Sequence, residues 1–475
     1  MIQIKELSGM TVSALTAGYR DGSIDPMNVM ELTLRQIADV NRAINALYGV
    51  DADTAMSAAR ASKARYVTST AIGPLDGVPV TIKDSVHAVG MRWHHGSAAH
   101  GDGVVATRDA PPTERLKASG AIIIAKCTMP DYGLSGSGVS SYHGIVRNPW
   151  GLSWNTGGSS AGAGASLAAG IGMMSVGSDI AGSVRLPASH CGLAALKPTQ
   201  GMIAHTPASD VRSAGPMTRY ASDLELLLNV LGGVHDDDRF SLPVTTPTSQ
   251  APFNTLTVGA YADFGFGPKV EPSVLDIFGK ACNAMASICE KIVKPAARYN
   301  FDAYLPIDAS LKLRGWREYI AASAENRDKT PQQLIDWFSE ARHWTADNVT
   351  AFERGLAAGV TQTNALFEGV DFLITPVMPI VNFPAEALGI DPAMPLRHCT
   401  FTATFNQSGH PAVSICGGLD ARGLPVGIQI VGRRFDDVRL VRLATALEAA
   451  IWPDGRPAAF WPLQPHTSQF VSMIN

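Results

Sequence analysis

Residues Gly157–Ser166 read GGSSAGAGAS, and Ser178–Arg185 read SDIAGSVR. Small residues in such runs let backbone approach a bound group closely. Both runs offer serines, and neither contains a histidine to take a serine proton. Gly158–Gly162, GSSAG, has the G-x-S-x-G form with Ser160 at its centre, but that turn needs a buried strand running directly into it. The preceding NPWGLSWNTG is polar and turn-forming, and of the downstream histidines His410 in NQSGHP could serve as the partner such a turn requires. A phosphate cradle fits less well. GAGAS lacks the Gly-Lys-Ser/Thr ending of a P-loop, and the third glycine of GxGxxG is missing.

Outward from these runs the chain alternates strand-like and helix-like patterns. Towards the N-terminus, GAIIIAKCT (Gly120–Thr128) is a compact buried-strand pattern behind the helix-like PPTERLKAS. Before it, VPVTI (Val78–Ile82) lies between turn residues and runs into Lys83 and Asp84. The first 65 residues are helical in pattern: Val29, Leu32, Ile37, Val40, Ile44 and Leu47 recur at three- and four-residue steps behind Pro26. Towards the C-terminus, a polar, proline-rich connection fills 235–260, and helix formers with Trp316, Trp337 and Trp344 follow. Strands resume at DFLITPV and LPVGIQIVG, and a last helix is predicted in DDVRLVRLATALEAA. Short apolar strands alternating with helices predict an α/β body with a partly parallel sheet. The chain reads as one domain over 1–475. It comprises a helical region (1–65), a core (66–235), a variable helical insertion on the substrate side (260–370) and a C-terminal part of the core (371–475).

Composition excludes several classes. Apolar residues make up 46% and charged residues 17%, enough for a large core and too apolar for disorder. A net charge of -4 gives no electrostatic reason to expect nucleic acid. The six cysteines are scattered without a CxxC pair, which predicts reduced thiols rather than a zinc site or a disulfide framework. There is no HExxH motif, Cys/His cluster or dinucleotide fingerprint, so neither metal nor organic cofactor is expected. No apolar run reaches the roughly 18–20 residues needed to span a bilayer, and the start has no secretory pattern. The expectation is a cytoplasmic protein without membrane attachment.

Three segments occur in order: GVPVTIKDS, GGSSAGAG and GSDIAGSVRLPA, with Ser183 standing 24 positions after Ser159. Together with RNPW (Arg147–Trp150), GLAALKPTQG, GPMTRYASDLELLL and LPVGIQIVG followed by FDD, they resemble the amidase signature family of serine hydrolases over most of the chain. The resemblance implies a large, mixed, twisted sheet covered by helices on both sides. It also implies a triad of Lys83 as base, Ser159 after a cis peptide as proton relay, and Ser183 as nucleophile. The oxyanion donors would be the N–H groups of Ile180, Ala181, Gly182 and Ser183. Asp179, Arg185 and Ser160 would support the site, and Met129, Tyr132 and Gly133 would contact substrate. Ala181 and Ala161 stand where the family usually has glycine, and a φ above zero at 181 would strain alanine.

That chemistry demands a neutral lysine. Lowering the lysine pKa to roughly 7–8 requires about 3–5 kcal/mol of preference for the uncharged form, which burial provides. A serine hydroxyl can accept one proton while donating another, as a relay must. The implied reaction is cleavage of the C–N bond of a small aryl or alkyl carboxamide through an acyl-enzyme. Carbamates and esters present the same carbonyl. Trp316, Tyr319 and Trp344 are expected to form an apolar wall for the substrate. Paired protomers are common in the family, so a homodimer is an expectation of the resemblance. A second reading is the glutaminase component of a tRNA-dependent amidotransferase, although MIAHTPASDVRSAGPMTR lacks the serine-leucine-aspartate-glutamine run associated with that component.

Overall fold

The short GSD strand that precedes Ser183 lies near the middle of an eleven-stranded sheet. The computed structural model describes residues 2–244, 251–457 and 460–463; the middle of the polar connection and the last residues of the C-terminal part lie outside the described residues. In spatial order the strands are Leu47–Tyr48, Ile122–Cys127, Pro79–Lys83, Met174–Asp179, Ser213–Thr218, Ala194–Lys197, Ala412–Leu419, Pro425–Val431, Phe372–Pro376, Thr257–Ala260 and Lys291–Val293. Pro79–Lys83 runs parallel to both its neighbours, Thr257–Ala260 does the same at the other end, and the remaining pairs are antiparallel. The sheet is therefore mixed, as expected. It takes strands from both sides of the helical insertion.

Alternation along the strands sends side chains into two apolar layers. Ala194 and Leu196 join a cluster with Leu224, Leu228, Leu440 and Leu447, whereas Ala195 between them joins Ile37, Ile44, Ala163 and Leu167 on the opposite face. Helices consequently cover both faces. The predicted N-terminal helix is Pro26–Ile44, whose Asp25 cap accepts from the Met27 N–H at 2.9 Å. Pro111–Ala118 and Asp437–Ile451 also form where the patterns predict helices.

Met174–Asp179 and Ser213–Thr218 are strands that carry no strong strand pattern, being rich in Gly, Ser and Ala. They are selected by close packing. The wholly buried helix Ala161–Ala168 crowds the sheet, and a Cβ at Gly162 would fall 2.2 Å from the Ala46 carbonyl oxygen. Ala161 begins this helix and is not among the residues with positive φ. Helices of the insertion form a third apolar cluster, in which Leu311, Trp337 and Phe338 meet Tyr132, Ala181 and Leu186. The insertion thus packs directly onto the loop around Ser183.

Candidate active site

Pro79–Lys83 enters the sheet fully buried and delivers the Lys83 side chain among hydroxyls. The lysine Nζ lies 2.7 Å from Ser159 Oγ, 3.1 Å from Ser178 Oγ and 3.4 Å from the Ser178 carbonyl oxygen. No carboxylate pairs with it among the described residues. Asp84, the next residue, accepts hydrogen bonds from the Tyr48 hydroxyl and the N–H groups of His94 and Gly96. Burial, reinforced by the positive charge of Arg212, lowers the Lys83 pKa to about 7. Near neutrality a large share of this amine is uncharged and able to accept a proton.

Ser159 follows a cis Gly158–Ser159 peptide and precedes the buried helix. Ser183 sits in the turn between strand Met174–Asp179 and helix Arg185–Cys191. The two loops are tied by a hydrogen bond from Ser160 N–H to the Ser183 carbonyl at 3.1 Å. Lys83, Ser159, Ser178, Ile180 and Ser183 line one small pocket with Met129, Tyr132 and Gly133. The Ser183 hydroxyl makes no hydrogen bond among the described residues, so it is free to rotate towards either Ser159 or a ligand.

The turn after Asp179 is held by a buried network. Both Asp179 carboxylate oxygens pair with the Arg185 guanidinium, at 2.9 and 3.0 Å, and this cation holds the carboxyl well below the usual range. The same carboxylate accepts from Gly182 N–H at 2.7 Å and from Val184 N–H at 3.2 Å. Asn406 donates to the Asp179 carbonyl and carboxylate, both at 2.9 Å. Asp179 and Arg185 therefore shape the loop rather than enter the pocket.

A wider cleft of about 500 Å³ opens from this pocket, lined by His87, Trp93, His95, His100, Arg212, Arg314 and Glu318 among others. His95, His100 and Glu318 place ligand-type atoms within 4.8 Å of one another. Burial, reinforced by the positive charges of Arg314 and Arg212 nearby, pushes the His95 imidazole well below its usual range and keeps it neutral. Their charges oppose a cation at that spot.

Comparison with known proteins settles the family. The family model described as Amidase matches residues 28–441. The chain belongs to the amidase family. Among characterised sequences, this amidase is 31% identical over 491 aligned residues to a glutamyl-tRNA(Gln) amidotransferase component of Anaeromyxobacter sp. (strain K), covering 94% of this chain and 98% of that one. It is 28% identical over 471 residues to an acylamidase of Rhodococcus erythropolis, covering 96% and 98%. Among solved structures, 6-aminohexanoate cyclic dimer hydrolase superposes with a TM-score of 0.83 at 26% identity, covering 96% of this chain and 99% of that one. A bacterial aryl acylamidase shares the fold at a TM-score of 0.85 and 23% identity, covering 96% and 98%.

Several expectations about this amidase change in the structure. The Gly182 N–H, expected to point at an oxyanion, donates instead to Asp179; Ile180, Ala181 and Ser183 keep N–H groups without an acceptor among the described residues. The positive φ belongs to Gly182, at 128°, while Ala181 is not among the positive-φ residues and is unstrained on that account. The tryptophan wall does not form. Trp316 stacks on Tyr319, which packs against Phe338, and Trp344 packs against Phe352. On the same helix as Trp316, Arg314, Arg317 and Glu318 follow three- and four-residue steps and face the cleft, so its aromatic lining comes from Trp93 and the histidines instead. Ser160 is a buried hydroxyl directed at the Ser178 carbonyl, at 3.4 Å, and no histidine hydrogen-bonds to it among the described residues; His410 stacks on Phe367 instead. Ser178, which joins Lys83 in the site, heads the SDIAGSVR run but has no motif of its own to single it out. Arg212 and Arg314 lie in an ordinary loop and helix with no local signature.

Proposed function

We propose that this amidase hydrolyses the C–N bond of a small carboxamide through an acyl-enzyme on Ser183. Lys83 acts as the base and Ser159 as the relay. The observation that carries the reading is the 2.7 Å contact between a buried, carboxylate-free Lys83 and Ser159 in the pocket that Ser183 also lines. Lys83 takes the Ser159 proton as Ser159 takes that of Ser183. The freed oxygen attacks the carbonyl carbon, and the N–H groups of Ile180, Ala181 and Ser183 are the donors available to the developing oxyanion. The relay run backwards protonates the leaving nitrogen. Water then cleaves the ester, with Lys83 again the base. Met129, Tyr132 and Gly133 border the acyl group. Carbamates and esters are alternative substrates of the same machinery, and the acylamidase relative supports an amide first.

Covalent labelling with a fluorophosphonate followed by peptide mapping tests the reading. Label on Ser183 that is lost in Lys83→Ala is the expected result. Label on another serine refutes the assignment. The amidotransferase relative favours one second reading, a glutaminase that works only with partner proteins. It predicts a stoichiometric partner on purification and glutaminase activity that depends on it.

A further inference from the structure

Two arginines at the junction of pocket and cleft have a buried Nε without an acceptor among the described residues. Arg212 and Arg314 both line the pocket of Lys83, Ser159 and Ser183, and both also line the outer cleft. They reach it from separate elements, Arg212 from the loop before strand Ser213–Thr218 and Arg314 from helix Tyr304–Ala321. A guanidinium has five N–H donors. Arg185 shows what full satisfaction looks like in this protein, since it donates to Asp179 twice and to Thr402, Gln429 and Asn406. Arg212, by contrast, makes one side-chain hydrogen bond, to the Pro207 carbonyl at 2.5 Å, and its buried Nε has no partner among the described residues. Arg314 has an ion pair with Glu318 at 3.8 Å, beyond hydrogen-bond length, and its buried Nε is likewise unpaired.

The surrounding charge is unbalanced in the same sense. Arg212, Arg314 and Arg317 line the cleft against one carboxylate, Glu318. His87, His95 and His100 complete that wall, and burial keeps them largely neutral at neutral pH. Holding the buried Arg212 and the partly buried Arg314 close together with few acceptors is costly unless an anion joins them. Arg is also the side chain best shaped to hold a carboxylate by parallel N–H bonds.

We propose that the substrate of this amidase carries a carboxylate close to the scissile amide, held by Arg212 and Arg314 while the carbonyl lies against Ser183. The inference rests on the hydrolase reading above and narrows it from carboxamides in general to anionic ones. The bound carboxylate supplies the missing acceptors. It also offsets the positive charges beside Lys83, so the amine is a stronger base in the complex than in the free enzyme.

Two matched pairs of substrates test this with the full-length protein. One is glutaranilate against the anilide whose terminal carboxylate is replaced by a methyl ketone. The other is 4-acetamidobenzoate against 4-acetamidoacetophenone, which moves the charge to the leaving group. The expected result is a kcat/KM at least about 100-fold higher for the acid of one pair, from charge-assisted hydrogen bonds lost in its neutral partner. Arg212→Met and Arg314→Met should each pull that ratio towards one, mainly through KM, and Arg314→Lys should restore part of it. With the acid, the acidic limb of kcat should lie at higher pH than that of kcat/KM. A ratio below about 3 in both pairs for the wild-type enzyme overturns the inference, and this arm needs no variant to fold. Variants that lower both members of a pair equally also overturn it. Fluorophosphonate labelling of Ser183 with neither acid hydrolysed overturns the carboxylate assignment alone, whereas no label and no turnover removes the hydrolase reading as well.

Discussion

The pH dependence of Ser183 acylation is the sharpest consequence of the Lys83 environment. Lys83 is buried, has hydroxyls and a carbonyl but no carboxylate as partners among the described residues, and burial lowers its pKa to about 7. The reaction needs its neutral form, so the rate must rise with pH on the acidic side. With a pKa of about 7, the neutral fraction grows about tenfold between pH 6 and pH 8 and then levels off. An ordinary lysine would instead give about a hundredfold rise over the same two units, with no plateau before about pH 10. The assay is the second-order rate of fluorophosphonate labelling from pH 5.5 to 9.5, which reports nucleophile activation without product release. Turnover of a neutral anilide over the same range provides a parallel measure. A logarithmic slope of one that continues past pH 9 would refute the buried-lysine argument, and a flat profile would remove Lys83 as the base.

Stability should carry the same signature with Lys83→Met. Because the folded pKa is depressed, the unfolded chain binds more protons between about pH 7 and the ordinary lysine range, so wild-type stability rises with pH there. In urea unfolding, the wild type should gain about 1 kcal/mol per pH unit on the variant between pH 7.5 and 9.5, and parallel curves would contradict this. Ser183→Ala should abolish turnover with an unchanged circular dichroism spectrum, while Ser159→Ala should keep more residual rate than Lys83→Ala. Arg185→Met leaves the Asp179 charge buried without its cation, and should cost about 3–5 kcal/mol in the same unfolding assay. Gly182→Ala places a Cβ 2.4 Å from Thr402 Oγ1 on a backbone with φ 128°. It should lower kcat by about a hundredfold or more as the donor loop shifts, and near-normal kcat would show that this loop does not position the reaction.

Much of the architecture could be read along the chain because periodicity survives in sequence. The three- and four-residue steps behind Pro26, and the apolar runs at 78–82, 120–128 and 424–432, correspond to helix Pro26–Ile44 and to strands Pro79–Lys83, Ile122–Cys127 and Pro425–Val431. The strand Met174–Asp179 was not legible. Gly177 at its centre has no room for a side chain, since a Cβ there would fall 2.5 Å from Ser160 Oγ and 2.9 Å from Val184 Cγ1, and such crowding leaves no periodic mark. The expected tryptophan wall failed for a related reason. Helical spacing shows that Trp316 and Tyr319 share a face, but not which face of the helix meets the cleft.

The site divides along the same line. Local sequence determined that Lys83 ends a buried strand, that Ser159 and Ser183 sit in backbone stripped of bulk, and that the ordered segments resemble amidases. Only the tertiary structure decided that Gly182 N–H is engaged by Asp179, that no carboxylate pairs directly with Lys83 among the described residues, and that Arg212 and Arg314 converge on one pocket. Hydrogen-bond partners and electrostatic environment are set by groups far apart in sequence, and a pKa is the sum of those surroundings. Residue type and spacing can name the reacting groups, but the balance of charge and donors around them exists only once the sheet has brought its strands together.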